Sequence, residues 1–308
     1  MMNKTEELTD LKERVQALPP EATAEIAELK RLIAQLEENL TEESATDWDH
    51  VQLSRHENRP YTLDYIERLF TSFRPIHGDR RFADDAAMVG GLAFFDDQPV
   101  MVIGQQKGRN TKERLFRNYG MAKPEGYRKA IRLMEIAEKF NRPIFTLIDT
   151  PGAYPGIGAE SRGQAQAIAH NLRAMAELQV PIVATVVGEG GSGGALAIGM
   201  ADRILMLENS IYSLISPESC SAILWKDQDH VQEAAKALCL TAPHLEKFKI
   251  VDEVVPEPPD GAHSDWDAAA ALLKKALLRN LEELQLQSPQ QRLRGRFEKF
   301  RRMGTFIE

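Results

Sequence analysis

A chain of 308 residues and 34.6 kDa, 43% hydrophobic and 27% charged, has the balance of a globular protein and excludes a disordered or fibrous one. Its apolar stretches, such as Val180–Val187, fall short of the roughly 20 residues of a membrane-spanning helix. MMNKTEELTD shows no apolar signal core, and Cys220 and Cys239 alone make neither a disulfide framework nor a four-ligand zinc site. The expectation is a cytoplasmic protein with no metal of its own. The net charge of −8 is confined to residues 1–50, which carry 13 acidic and 5 basic groups and leave 33 of each sign in the remainder. The acidity therefore says little about what the main body binds.

In chain order, Leu8, Leu11, Val15 and Leu18 repeat at helical spacing up to Pro19-Pro20. Ile26, Leu29, Ile33, Leu36 and Leu40 then resume it. Proline is tolerated in a first turn and not in mid-helix, so two helices are expected, with an apolar seam that wants another helix. Thr62 is expected to cap a short helix over Leu63–Phe70. Strands follow at Met88–Phe95 and Val100–Gly104, joined by a turn at Asp96–Pro99. A helix fits Pro124–Phe140 and a strand Ile144–Asp149, before the turn Thr150–Gly158. Helix Ser161–Leu178, strand Ile182–Val187, a glycine loop Gly188–Gly194, helix Ala195–Ala201 and strand Ile204–Leu207 come next. Tyr212–Ile215 reads as strand, 217–248 as helical, and 265–283 and 288–302 as amphipathic helices. Continuous apolar strands alternating with helices predict an α/β fold with largely parallel pairing. The divisions are a helical arm over 1–58, a core over 59–260 and C-terminal helices over 261–308.

Gly188-Glu189-Gly190-Gly191-Ser192-Gly193-Gly194 holds five glycines between a strand and a helix. The bare backbone lets a ligand approach N–H groups at a helix start, which suits an anion or an oxygen becoming anionic. Close helix–sheet packing also accounts for one or two of the glycines. The stretch satisfies two other patterns. Gly188, Gly190 and Gly193 match a dinucleotide fingerprint, with Glu208 20 residues past Gly188. Gly190–Gly194 matches a nucleophile elbow around Ser192, for which His263 and Asp252 are the partners in chain order. No lysine-bearing phosphate loop is present. A second turn, Asp149–Gly158, is stiffened by Pro151 and Pro155 and loosened by Gly152, Gly156 and Gly158. Two such turns after two strands predict a shared cleft. Nine basic groups lie in 107–132, Lys107 and Arg109 among them, against Glu113 and Glu125; they suit phosphates, or a solvated face. The basic C-terminal run has no recognition fold for nucleic acid around it.

RPYTLDYI at 59–66, GDRRFADD at 78–85, GQQKGRNTKE at 104–113, PEGYRKAIRLM at 124–134, IDTPGAYPGIGAE at 148–160, GEGGSGGALAIG at 188–199 and SPESCSAILWKD at 216–227 together resemble one family. It is the alpha subunit of the bacterial multisubunit acetyl-coenzyme A carboxylase carboxyltransferase. The resemblance implies a ClpP/crotonase-like spiral fold with an N-terminal helical arm. It implies a beta-subunit partner bearing the zinc ribbon, usually in an α2β2 assembly, along with biotin carboxyl carrier protein and biotin carboxylase. The implied reaction moves the carboxyl group of carboxybiotin to acetyl-CoA, giving malonyl-CoA, the first step of fatty-acid synthesis, with no metal in this subunit and no membrane or nucleic acid.

Carried over residue by residue, the N–H groups of Gly193 and Gly194 would hold the biotin ureido oxygen. Gly152, Ala153, Tyr154, Pro155, Gly156 and Ile157, with Gly190 and Gly191, would form the biotin-facing wall. Lys107 and Arg109 would touch the substrate carboxylate or CoA phosphates. No carboxylate or histidine in either turn has obvious base geometry apart from Glu189, so the ureido nitrogen is expected to take the acetyl proton. The family's usual SPEGC is SPESC here, and a positive φ at Ser219 would strain it by about 1–3 kcal/mol. The competing readings are a stand-alone crotonase-like acyl-CoA hydrolase or hydratase, and a noncatalytic scaffold.

Overall fold

The computed structural model describes residues 45–304 together with Lys12, Val15, Leu29, Lys30, Arg31 and Ile33. Those six positions are helical; the rest of the two-helix expectation for the first 44 residues lies outside the described residues. Contacts divide the chain into Met1–Thr46 and Asp47–Glu308, and the second unit holds one eight-stranded sheet.

Its elements are α1 (Asp47–Ser54), α2 (Thr62–Leu69), β1 (Thr71–Pro75), β2 (Met88–Phe95), β3 (Gln98–Gln105), α3 (Thr111–Phe116), α4 (Pro124–Lys139), β4 (Ile144–Thr150), α5 (Ile157–Glu160), α6 (Gln164–Glu177), β5 (Ile182–Gly191), α7 (Ser192–Leu196), β6 (Arg203–Leu207), β7 (Ile211–Ser213), α8 (Pro217–Leu224), α9 (Val231–Leu238), α10 (Ala242–Lys247), β8 (Glu253–Val255), α11 (Trp266–Gln285) and α12 (Pro289–Arg301). The sheet runs β1-β2-β3-β4-β5-β6-β8, and β7 pairs with the far end of β5. Pairing is antiparallel across β1, β2 and β3 and parallel from β3 onward.

The apolar runs are continuous because helices cover both faces, and period-2 alternation sends neighbouring side chains to opposite cores. Met101, Ile103, Ile144, Ile148, Ile182, Ala184 and Val186 pack with Tyr127, Leu133 and Met134 of α4 and Met175 of α6. Val100, Val102, Phe145, Leu147, Val183 and Leu205 pack with Tyr65 and Leu69 of α2 and Leu273, Leu277 and Leu281 of α11. The C-terminal helix α11 therefore shares the second core with the sheet.

Several expectations change. β5 continues through Gly188–Gly191, and α7 starts at Ser192; the expected glycine loop is the end of a strand and the first turn of a helix. Thr62 is not the cap of α2. Tyr61 holds that position, and the Thr62 hydroxyl donates to the Gln105 carbonyl. The helix expected over 161–178 is broken by Gly163 in the left-handed region, at φ 82. The stretch 217–248 is three short helices, interrupted at Cys239, where φ is 49. Ser219 lies inside α8 with its N–H on the Ser216 hydroxyl, and no positive φ occurs there, so the expected strain does not arise. α1, β1 and β8 are short elements without a clear apolar period. Among the described residues no helix is long and apolar enough to cross a membrane, and no cluster of His, Cys, Asp and Glu is arranged to hold a metal.

Candidate active site

The carboxyl ends of β3, β4 and β5 lie side by side in a parallel sheet, and the turns that follow them meet at one edge, where ligands bind in such sheets. The contact between the β4 and β5 turns is backbone to backbone. A Cβ on Gly191 would lie 2.1 Å from the Pro151 carbonyl oxygen, and one on Gly194 would lie 2.5 Å from the Gly152 carbonyl carbon. Gly190 leaves room for the Tyr212 ring. Packing thus requires several of these glycines whatever they bind. Gly193 differs, since a Cβ there would meet only the end of the Ile168 side chain, at 3.4 Å. The N–H groups of the first turn of α7 have no intrahelical acceptor, and no side chain caps them.

Asp149 explains why β5 is irregular beside β4. The pairing slips between Ile148↔Val186 and Thr150↔Gly190, and the Asp149 carboxylate sits where a Gly188 side chain would be, 2.5 Å from that Cβ position. Its Oδ1 accepts the Glu189 N–H at 3.0 Å. Gln105, at the end of β3, ties β4 to the start of α7. Its Nε2 donates to the Gly194 carbonyl at 2.8 Å, and its Oε1 accepts from the Asp149 N–H at 3.2 Å.

Five charges line up at this edge. Lys107 Nζ reaches Asp149 Oδ1 at 2.8 Å and Glu189 Oε2 at 2.6 Å. Arg55 Nε donates to Glu189 Oε1 at 2.6 Å, and its Nη1 pairs with Glu218. Burial pushes the Asp149 carboxyl up, outweighing Lys107. For Glu189 burial acts the same way, but Lys107 and Arg55 outweigh it and hold the group below the usual carboxylate range. Burial disfavours charge on Lys107 too, and its two carboxylates reverse that and raise it. A carboxylate held down in this way is a poor proton acceptor. A cavity of about 240 Å³ opens over Arg55, Tyr61, Lys107, Arg114, Tyr119, Pro151 and Glu189, with a smaller one beside it over Gly190, Gly191, Ser213 and Ile215.

Arg109 does not line that cavity. It pairs with Asp64, bonds the Glu57 and Arg59 carbonyls, and stacks over Tyr61 and Trp266. The β4 turn is held by Thr150, whose hydroxyl donates to the Gly152 carbonyl at 2.7 Å and accepts the Gly152 N–H. Farther along, the Tyr154 N–H donates to the Ala122 carbonyl and its carbonyl accepts from Gln164. Pro155 and Ile157 are exposed, and Ala153 and Gly156 half-buried.

The nucleophile-elbow reading loses its partners. Ser192 does sit at φ 49 and is exposed, but His263 stacks on His56 with centroids 3.9 Å apart, and Asp252 accepts from the Ile204 N–H and Lys299. The dinucleotide reading also fails: Gly188 and Gly190 are strand, and Glu208 accepts from the Glu257 N–H. Reading along the chain missed Arg55, Glu218 and Gln105 as members of this edge. Only the buried-type strand around Gln105 carried a signal, a polar residue where an apolar one belongs.

The fold is the one shared by the crotonase-like carboxyltransferases. Transcarboxylase 12S, solved with methylmalonyl-coenzyme A and methylmalonic acid bound, superposes with a TM-score of 0.58 at 18% identity, over 71% of this chain and 40% of that one. A Pseudomonas malonate decarboxylase hetero-tetramer in complex with coenzyme A superposes with a TM-score of 0.61 at 17% identity, over 76% of this chain and 91% of that one. The family model described as acetyl co-enzyme A carboxylase carboxyltransferase-like matches residues 1–304. The acetyl-coenzyme A carboxylase carboxyl transferase subunit alpha of Geobacter metallireducens is 53% identical over 305 residues, covering 97% of this chain and 96% of that relative. The chain belongs to the family of acetyl-coenzyme A carboxylase carboxyltransferase alpha subunits. It is therefore one part of a biotin-dependent carboxyltransferase complex whose other part is a beta subunit.

Proposed function

We propose that this chain provides the biotin side of a two-subunit active site, which carries the carboxyl group of carboxybiotin to acetyl-CoA to give malonyl-CoA. The observation that carries the assignment is the close backbone contact between Pro151–Ala153 and Gly191–Gly194. That contact sets the start of α7 against the β4 turn, and no side chain caps the first N–H groups of the helix. In this reading a biotin carboxyl carrier protein delivers the group, and a zinc-ribbon beta subunit binds most of the coenzyme A. A biotin carboxylase recharges the carrier in the cytoplasm, and the working assembly is α2β2.

The chain's residues suit a bicyclic urea. A urea oxygen needs N–H donors, and Gly193 and Gly194 are at the helix start to supply them. Its rings need an apolar wall, which Ala153, the stiff Pro155 and exposed Ile157 offer beside Gly152, Tyr154, Gly156, Gly190 and Gly191. Carboxybiotin supplies an activated carboxyl group bound to nitrogen. The part of this chain is to hold the ureido oxygen as negative charge gathers there, and the two N–H groups do so without reorganising. Glu189, held ionised by Lys107 and Arg55, shapes that backbone and takes no proton. Lys107, which lines the cavity, and Arg109 are the groups of this chain to touch the substrate carboxylate or coenzyme A phosphates.

The test is malonyl-CoA-dependent carboxylation of free biocytin by the purified chain, alone and mixed with the beta subunit encoded in the same genome. Activity is expected only in the mixture; activity of this chain alone would return the weight to a self-contained crotonase-like enzyme. Replacing Gly194 with valine drives a side chain into the Gly152–Ala153 backbone. Turnover should fall about 100-fold or more, the usual cost of losing an oxyanion donor. A folded, fully active Gly194→Val variant would contradict the placement.

A further inference from the structure

We propose that Arg55 is a positioning residue for the carboxyl-transfer site, joining Glu189 to Glu218 and so fixing the end of β5 from which the Gly193 and Gly194 N–H groups project. This deepens the function proposed above and rests on it. Arg55 follows α1, precedes every motif that carries the family resemblance, and is brought to the site by the fold alone. Its guanidinium bridges two elements far apart in sequence, the end of β5 through Glu189 and the first turn of α8 through Glu218.

The charge arithmetic explains the need for it. Glu189 and Asp149 are both buried, and the Glu189 N–H donates to Asp149 Oδ1 where the pairing of their strands slips. Together with Glu218 they make three carboxylates against two cations, Arg55 and Lys107. Without Arg55, Lys107 alone faces Asp149 and Glu189, and Glu218 loses its cation. Arg59 and Tyr61 also face Asp149, and Arg114 lines the cavity, but Arg59 is committed to Glu257. Buried like charges relieve their repulsion by moving or by taking up a proton. Glu189 is four residues from Gly193 on an uninterrupted backbone, so its movement is passed to the N–H groups. Positioning errors of about 1 Å cost on the order of 100-fold in rate.

The experiment uses the complete chain in complex with the beta subunit, assayed by malonyl-CoA-dependent biocytin carboxylation. Arg55→Met should lower kcat about tenfold or more while KM for malonyl-CoA stays within about twofold and the subunits still co-elute. Arg55→Lys, which keeps the charge and can reach one carboxylate, should recover most of the loss. Arg55→Met combined with Glu189→Gln, which removes the unbalanced charge, should be more active than Arg55→Met. Wild-type kcat in Arg55→Met overturns the proposal, and so does a loss that neither Arg55→Lys nor the second substitution restores. If Arg55→Met does not fold, Glu218→Gln decides: a reduced kcat in the intact complex supports the bridge, and an unchanged one refutes it. An inactive wild-type complex would instead refute the function itself.

Discussion

Gln105 shows how much of the site's geometry rests on one buried amide. It satisfies the Gly194 carbonyl and the Asp149 N–H at once, from a position with no exposed surface. Gln105→Leu keeps roughly the volume and leaves both groups buried without a partner, at about 1–3 kcal/mol each. Urea unfolding should show that loss as a lower midpoint at unchanged slope, and an unchanged midpoint would mean that the two groups find other partners. Gly193 and Gly194 are expected to separate at the same scale. Gly193→Ala meets only a flexible Ile168 methyl, so it should fold with near wild-type stability and report on the catalytic edge alone. Ala at 194 presses on backbone and should lose stability and turnover together, as read by thermal melting beside the biocytin assay.

Between elements, the buried ion pair of Arg59 and Glu257 pins the α1–α2 connection to the loop after β8. Both side chains are 1% exposed, and Arg59 also donates to the Val187 carbonyl at 2.8 Å. Arg59→Met strands Glu257 as an uncompensated buried charge and should cost about 3–5 kcal/mol, whereas the neutral pair Arg59→Met with Glu257→Gln should cost less. If the double variant is no more stable than the single one, the pair's charge is not what the fold depends on. These connections are also where the sequence was least informative. β4, β5 and α4 were legible because burial on both faces, or on one stripe, writes a period into the residues. So were the two turns, because proline and glycine mark them. The extension of β5 through its glycines was hidden, since five glycines in seven positions read as loop until Pro151, Asp149 and Tyr212 are seen filling the space they leave. Arg55 and Glu218 carry no local pattern and Lys107 is one basic group among nine. The fold joins them by setting the α1–α2 connection and α8 against the ends of β3, β4 and β5.

Over the whole molecule, the carboxylates that are paired or hydrogen-bonded set the response to acid. Burial pushes Asp79, Asp84, Glu189, Glu218 and Glu257 up, but cations and backbone N–H groups outweigh it and hold each below its ordinary value. Each therefore contributes stability that is present above its unfolded value and lost as pH falls through its folded one. Asp85 and Asp149, raised chiefly by burial, act in the opposite sense and blunt that loss. His263 adds an earlier step. Burial first, then the stacked His56 ring and Arg59, lower it from 6.5, so just below that pH the unfolded chain binds more protons and stability falls as pH falls. The melting temperature of the full chain should accordingly decline in two stages on acidification, a shallow one beginning near 6.5 and a steeper one below the ordinary carboxylate range of about 4–4.5. His263→Gln should flatten the first stage and leave the second. A first stage that survives in His263→Gln would place the early titration elsewhere.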